Sequence, residues 1–270
     1  MSVPYLVTAQ EMRACDERTI RSGVPSLLLM ERAGQGIVSV LQRCFRPLAA
    51  RRIWIVCGRG NNGGDGLVVA RRLHDLGYNP RVLLTNEPDE FGGDAGVQIA
   101  WAHRRGIVLE RWDPDHFVQL DRLEEEDLLV DAILGTGFQG TIRGEKAEIV
   151  EAMNGSRASI VAVDVPSGVA ADTGAVDGPA ILADRTVTMA YPKRSFLFWP
   201  ARGYVGEWTA VDIGIPEEVA AAVRPAARLV TARAVSRAIP GFPRTAHKGT
   251  RGKVLIAGGS PGLTGAVCMA

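Results

Sequence analysis

Seven short apolar runs, each followed by a turn or a helix-like stretch, constrain this chain more than any other feature. They are RIWIVC (52–57), RVLLT (81–85), IVLE (107–110), DLLVDAILG (127–135), SIVAVDVPSG (159–168), RTVTMAY (185–191) and EWTAVDIG (207–214). A strand this apolar needs cover on both faces. Alternation with helices therefore predicts an α/β fold, a three-layer α/β/α sandwich around a mostly parallel sheet. Thr8 and Glu11 form a capping box that starts a helix near Ala9 and carries it to about Arg21. SLLLMERAGQGIVSVLQRCF reads as a second, largely buried helix, and LVVARRLHDLG and GGDAGVQIAWAHRRG as two more.

In a parallel sheet, ligands bind at the carboxyl ends of strands, and the polar chemistry of this chain is written there. RIWIVC runs into GRGNNGGDG, LLVDAIL into GTGFQG, SIVAV into DVPSG, and TVTMA into YPK. With parallel strands these four segments face one crevice. The rest of the composition narrows the ligand. A formal net charge of +1 without a long basic run argues against nucleic acid or an anionic membrane as partner. No apolar stretch reaches the length of a membrane span. The N-terminus lacks the basic start and apolar run of a signal peptide, and four scattered cysteines suit a reduced, cytoplasmic chain.

Gly58-x-Gly60-x-x-Gly63 and Gly135-x-Gly137-x-x-Gly140 both spell the dinucleotide fingerprint. Backbone N–H groups at a helix N-terminus cradle phosphate, and glycine lets the anion come close. A nicotinamide-dependent dehydrogenase, with Glu87 on the ribose, is the simplest reading of a Rossmann-like loop. Against it stand Asn61, Asn62 and Asp65, because a carboxylate beside a pyrophosphate is electrostatically unfavourable. Asp131 and Asp164 lie in otherwise apolar strands, where an unpaired carboxylate is costly. One of them can hold a cation with Asn62 and Ser167, all hard oxygen ligands. The other can act as acid and base.

LMERAG, GRGNNGGDGLVVAR, VDAILGTGFQG, VDVPSGV, YPK and GYVGEWTAVDIGIP occur in this order. Together they resemble the N-terminal, YjeF-type domain of NAD(P)H-hydrate epimerases, over roughly residues 8 to 216. Such enzymes act on NADH or NADPH hydrated at ring carbon 6 and interconvert the R and S forms, so that an S-specific dehydratase repairs both. The resemblance implies that the hydrate is bound through Asn61, Asn62, Gly63, Gly64 and Asp65, through Gly135, Thr136, Gly137, Phe138, Gln139 and Gly140, and through Asp164. It implies Asp164 as the catalytic group and a potassium ion on Asn62, Asp131 and Ser167. Some members pair that Asp with a Lys in the second glycine segment. Gln139 stands there in this chain and cannot exchange protons, which leaves Lys193 of YPK as a substitute.

The resemblance divides the chain into an epimerase domain over 1–216, a linker over 217–245 and a segment over 246–270. This last segment, with HKGTRGKVLIAGGSPGLTGAVCMA at its core, resembles the start of an ADP- or ATP-dependent hydrate dehydratase domain of ribokinase-like fold. Dehydratase activity is therefore expected to be absent, and residues beyond about 217 loosely docked. The expected partners are the small dinucleotide substrate, a second copy in a homodimer, and a dehydratase acting in the same repair. The alternative is a non-catalytic dinucleotide-binding scaffold or protein-interaction module.

Overall fold

A computed structural model of the chain describes residues 5–247, 249–250, 252–262 and 265–269. The backbone divides into two units, Ser2–Leu229 and Val230–Ala270. The first unit runs β1 (Tyr5–Leu6), α1 (Ala9–Arg21), α2 (Ser26–Cys44), β2 (Ile53–Cys57), α3 (Asn61–Asp75), β3 (Arg81–Leu84), α4 (Gly93–Arg104), β4 (Leu109–Arg111), α5 (Asp115–Asp121), β5 (Leu128–Ala132), α6 (Glu145–Gly155), β6 (Ser159–Val163), β7 (Arg185–Met189), β8 (Glu207–Val211), α7 (Glu217–Val223) and β9 (Ala227–Arg228). All seven apolar runs become strands of one sheet. Its order is β4-β3-β2-β5-β6-β7-β8, and every neighbouring pair is parallel.

Alternate strand residues feed two cores, as a pleated strand requires. Ile53, Ile55 and Cys57 of β2 join Ile37 and Leu41 of α2 and Leu67 and Leu73 of α3. Trp54 and Val56 turn the other way, toward Leu120 of α5 and Ile149 and Met153 of α6. From β2 the chain adds β3 and β4 outward on one side. It then crosses back to β5 and builds β6, β7 and β8 on the other. The order reverses between β2 and β5, and there the crevice of an open α/β sheet forms.

The capping box holds: the Thr8 hydroxyl accepts from Glu11 N at 3.1 Å, and the Glu11 carboxylate accepts from Thr8 N at 2.8 Å. Two expectations change. The helix after β2 begins at Asn61, ahead of Gly63, Gly64 and Gly66 rather than after them. The compact unit also runs on to Leu229, past the expected boundary at 216. α7 packs on α1, Ala226 N donates to Glu11 at 3.1 Å, and β9 pairs antiparallel with β1, Tyr5 opposite Arg228.

The second unit holds α8 (Ala232–Ala238), capped by Thr231, and α9 (Gly265–Met269). KVLIAG joins no strand pair among the described residues, and Val254 and Leu255 are 88% and 92% exposed. Lys248, Arg251, Leu263, Thr264 and Ala270 of the segment over 246–270 lie outside the described residues.

Candidate active site

β2 ends at Cys57, and α3 starts four residues later at Asn61, with Gly60 as its N-cap and no side chain capping its first turn. The junction is tight. A Cβ on Gly58 would sit 2.0 Å from the Ile133 carbonyl oxygen, and one on Gly63 would sit 1.6 Å from the Gly58 oxygen. What approaches these glycines is the protein itself. A Cβ on Gly60, by contrast, would meet nothing within 4 Å. The N-terminus of α3 is thus pressed against the exit of β5 while its first N–H groups keep no side-chain partner, an arrangement that favours an anion.

Asn62 and Ser167 both fasten onto that exit. Asn62 Nδ2 donates to Leu134 O at 2.9 Å, and the Ser167 hydroxyl accepts from Leu134 N at 2.9 Å. Asp131, fully buried in β5, accepts from the Ser167 hydroxyl at 2.6 Å, from Ser167 N at 2.8 Å and from Ile133 N at 3.2 Å. Burial lifts the Asp131 carboxyl to about 6, and the hydrogen bonds from Ser167 and Ile133 oppose it. The three expected cation ligands therefore meet around residues 131–135. Their oxygens, with the nearby main-chain carbonyl of Leu134, are the hard donor set that a cation such as potassium takes. Beyond them Gly137, Gln139 and Gly140 are exposed, Thr136 is partly buried, and Phe138 packs on the second core.

Asp164 follows β6 with φ of 67°, a left-handed conformation rare for a side chain other than Asn or Asp and one that stores strain. Its Oδ1 accepts from Lys193 Nζ at 2.5 Å, from the Thr188 hydroxyl at 3.0 Å and from Met189 N at 3.3 Å. Lys193 is fully buried. It also donates to the Thr188 hydroxyl at 2.8 Å and to Tyr191 O at 3.4 Å. The N-terminal segment clamps it in place. Val7 N donates to Pro192 O at 3.0 Å, Arg194 N to Val7 O at 3.2 Å, and the Arg194 guanidinium pairs with Glu11. Lys193 thus takes the place beside Asp164 that Gln139 does not. No hydrogen bond joins Gln139 and Asp164 among the described residues.

Two further carboxyls feel this pair. Burial pushes Asp65 well above the usual carboxylate range, the charges of Asp164 and Asp16 add to the push, and Lys193 opposes it. Burial likewise lifts Asp16 to about 6, with Lys193 opposing and Asp164 and Glu17 adding. Asp16 belongs to none of the sequence motifs. One signal was available: it shares the face of α1 that buries Met12, Cys15 and Thr19, the spacing of an apolar stripe. Two surface crevices of about 490 and 510 Å³ lie elsewhere, one beside Arg185 and Trp208, the other at the amino ends of β2 and β3.

A sequence profile described as YjeF-related protein N-terminus matches residues 26–195. A bifunctional NAD(P)H-hydrate repair enzyme Nnr of Moorella thermoacetica is 42% identical over 270 residues, covering 98% of this chain and 51% of the relative. An NAD(P)H-hydrate epimerase of Lentilactobacillus buchneri is 40% identical over 211 residues, covering 77% of this chain and 94% of the relative. The crystal structure of yeast ynu0, YNL200c, aligns with a TM-score of 0.67 at 26% identity, over 81% of this chain and 93% of that one. The chain spans about half the length of the bifunctional relatives it matches.

Proposed function

The chain belongs to the YjeF-related N-terminal family, that of the NAD(P)H-hydrate epimerases, and on that premise we propose that its crevice interconverts the R and S forms of hydrated NADH and NADPH. The observation that carries the reading is Asp164: three donors hold its Oδ1, and among the described residues none reaches Oδ2, which is left for chemistry at the carboxyl end of β6. In the hydrate, ring carbon 6 bears both the hydroxyl and the ring nitrogen. Inverting it requires one of those bonds to break and re-form on the other face. Opening the carbon–nitrogen bond needs a base for the hydroxyl proton, the role of Asp164 Oδ2. Lys193 has its donors engaged and serves to fix Oδ1.

The N-terminus of α3 and the open segment 135–140 would receive the dinucleotide, its phosphates toward the uncapped N–H groups. Asn61 to Asp65 and Gly135 to Gly140 are the binding residues of this reading. Asn62, Asp131 and Ser167 would hold potassium, which supplies one positive charge between a buried carboxylate and the anionic substrate. Among the described residues no helix is long and apolar enough to cross a membrane, and we place the protein in the cytoplasm, acting as a homodimer. A dehydratase specific for the S form is its partner in repair. The match to bifunctional relatives extends over nearly the whole chain, which supports residues 246–270 as the opening of their second half.

The test is to supply the R hydrate together with an S-specific dehydratase. We expect the R form to be consumed only when this protein is present. An R hydrate that persists would contradict the reading and favour a binding module.

A further inference from the structure

The cavity of about 510 Å³ lies at the amino ends of β2 and β3, the end of the sheet opposite the crevice. The five residues of β2, at roughly 3.3 Å each, separate the two. Four arginines line this cavity, and among the described residues no Asp or Glu does. They arrive from separate places. Arg51 and Arg52 lead into β2, Arg81 opens β3, and Arg122 is the C-cap of α5. Like charges gathered round one hollow repel, and the cost stands unless carboxylates behind them or an anion in front offset it.

Carboxylates offset two of the four. Arg52 Nε donates to Asp127 at 2.9 Å, and Arg52 Nη2 donates both to Asp127 and, at 3.0 Å, to Arg122 O. Arg81 Nη2 donates to both Glu110 oxygens at 2.7 Å and its Nη1 to Gln119 at 2.9 Å, with the guanidinium 4.0 Å over the Trp54 ring. Arg51 and Arg122 pair with no carboxylate among the described residues. Arg51 is held by main chain instead, its Nε donating to Phe45 O at 3.3 Å and its Nη1 to Glu126 O. The Arg122 side chain has no hydrogen bond and no ion pair there. The acidic run next along the chain is engaged elsewhere. Glu124 and Glu125 pair with Arg157 at 2.9 and 3.1 Å, and the charge of Glu126 acts on the same guanidinium. Two positive charges are therefore left over at the cavity.

We propose that this cavity is a binding site for a small organic phosphate, separate from the crevice and independent of the epimerase reading. A phosphomonoester carries about −1.5 to −2 charges at neutral pH, which matches the two uncompensated guanidiniums where a single carboxylate would not. The forked donors of arginine fit phosphate oxygens. Arg51 Nη2, Arg52 Nη1 and the whole Arg122 guanidinium have no partner among the described residues and are the donors for it. Asp127 and the main-chain carbonyls hold Arg52 and Arg51 in place beforehand. The volume falls in the ~300–1,000 Å³ range of small-molecule sites, more than a bare ion fills. Tyr78, Ile53 and Leu123 give the organic part an apolar wall.

Titration calorimetry tests the proposal, with ribose 5-phosphate, AMP, ribose and inorganic phosphate as probes of the full chain. At least one of the two phosphomonoesters is expected to bind one to one and more tightly than inorganic phosphate, and ribose is expected to give no heat. Arg122→Gln and Arg51→Gln are each expected to weaken that binding by roughly 10–100-fold. Arg122→Gln should do so at unchanged Tm, because its side chain holds nothing else in the protein. Failure of both phosphomonoesters to bind at millimolar concentration overturns the proposal. So does inorganic phosphate that binds as tightly as either, which reduces the cavity to an anion trap. Binding that survives both substitutions assigns the anion to the N-terminus of α3 in the crevice and likewise overturns it. A protein that binds the phosphomonoester through these arginines but does not epimerise keeps this site and loses the epimerase reading.

Discussion

At Gly58-x-Gly60-x-x-Gly63 the protein's own backbone closes in, whereas at Gly135-x-Gly137-x-x-Gly140 the backbone stays open. In the first segment, Gly58 and Gly63 leave room for carbonyl oxygens that a single methyl would strike. In the second, Gly137 and Gly140 are exposed, and a Cβ on either would meet nothing within 4 Å. The two segments touch through Asn62, whose side chain reaches Leu134 and lies 3.2 Å from where a Cβ on Gly135 would be. The difference separates two uses of one pattern. The first segment drives a helix end onto a strand end and so fixes where the crevice lies. The second leaves a surface on which a ligand can lie.

Substitutions sharpen that contrast in a graded way. Gly63→Ala should have the largest effect, because the atom in its path is main chain and cannot swing aside. We expect a loss of more than about 3 kcal/mol, read as a large drop in Tm or as insoluble protein. Asn62→Ala should cost about 1–2 kcal/mol, since it leaves the Leu134 carbonyl without its amide partner. It should also abolish any dependence of activity on potassium. Gly137→Ala should change stability by less than about 0.5 kcal/mol, and any effect should appear in KM for the hydrate. If Gly63→Ala and Gly137→Ala melt alike, the contrast between the segments is wrong.

Much of this architecture is legible in the sequence because its signals are local. Apolar runs mark the strands, and Thr8 with Glu11 marks the start of α1. The early start of α3 is hidden because three glycines and two asparagines read as loop, and glycine is a poor helix former. Here the close packing of Gly63 against Gly58 overrides that propensity. The end of the first unit is hidden for another reason. It is closed by Tyr5 opposite Arg228 and by Ala226 on Glu11, pairs more than two hundred residues apart. Asp131, Asp164 and Ser167 stand out as polar residues at strand ends. The partnership of Lys193 with Asp164 depends on the N-terminal segment folding back over the YPK turn, which no spacing in the sequence encodes.

The account turns on Asp164 as the base, and one variant tests that most directly. Asp164→Asn keeps the shape and the hydrogen bond from Thr188 but cannot take a proton. Turnover of the R hydrate, coupled to an S-specific dehydratase, should fall by roughly 10²–10⁴-fold, while titration calorimetry still registers hydrate binding. Turnover near that of the parent protein would contradict the account.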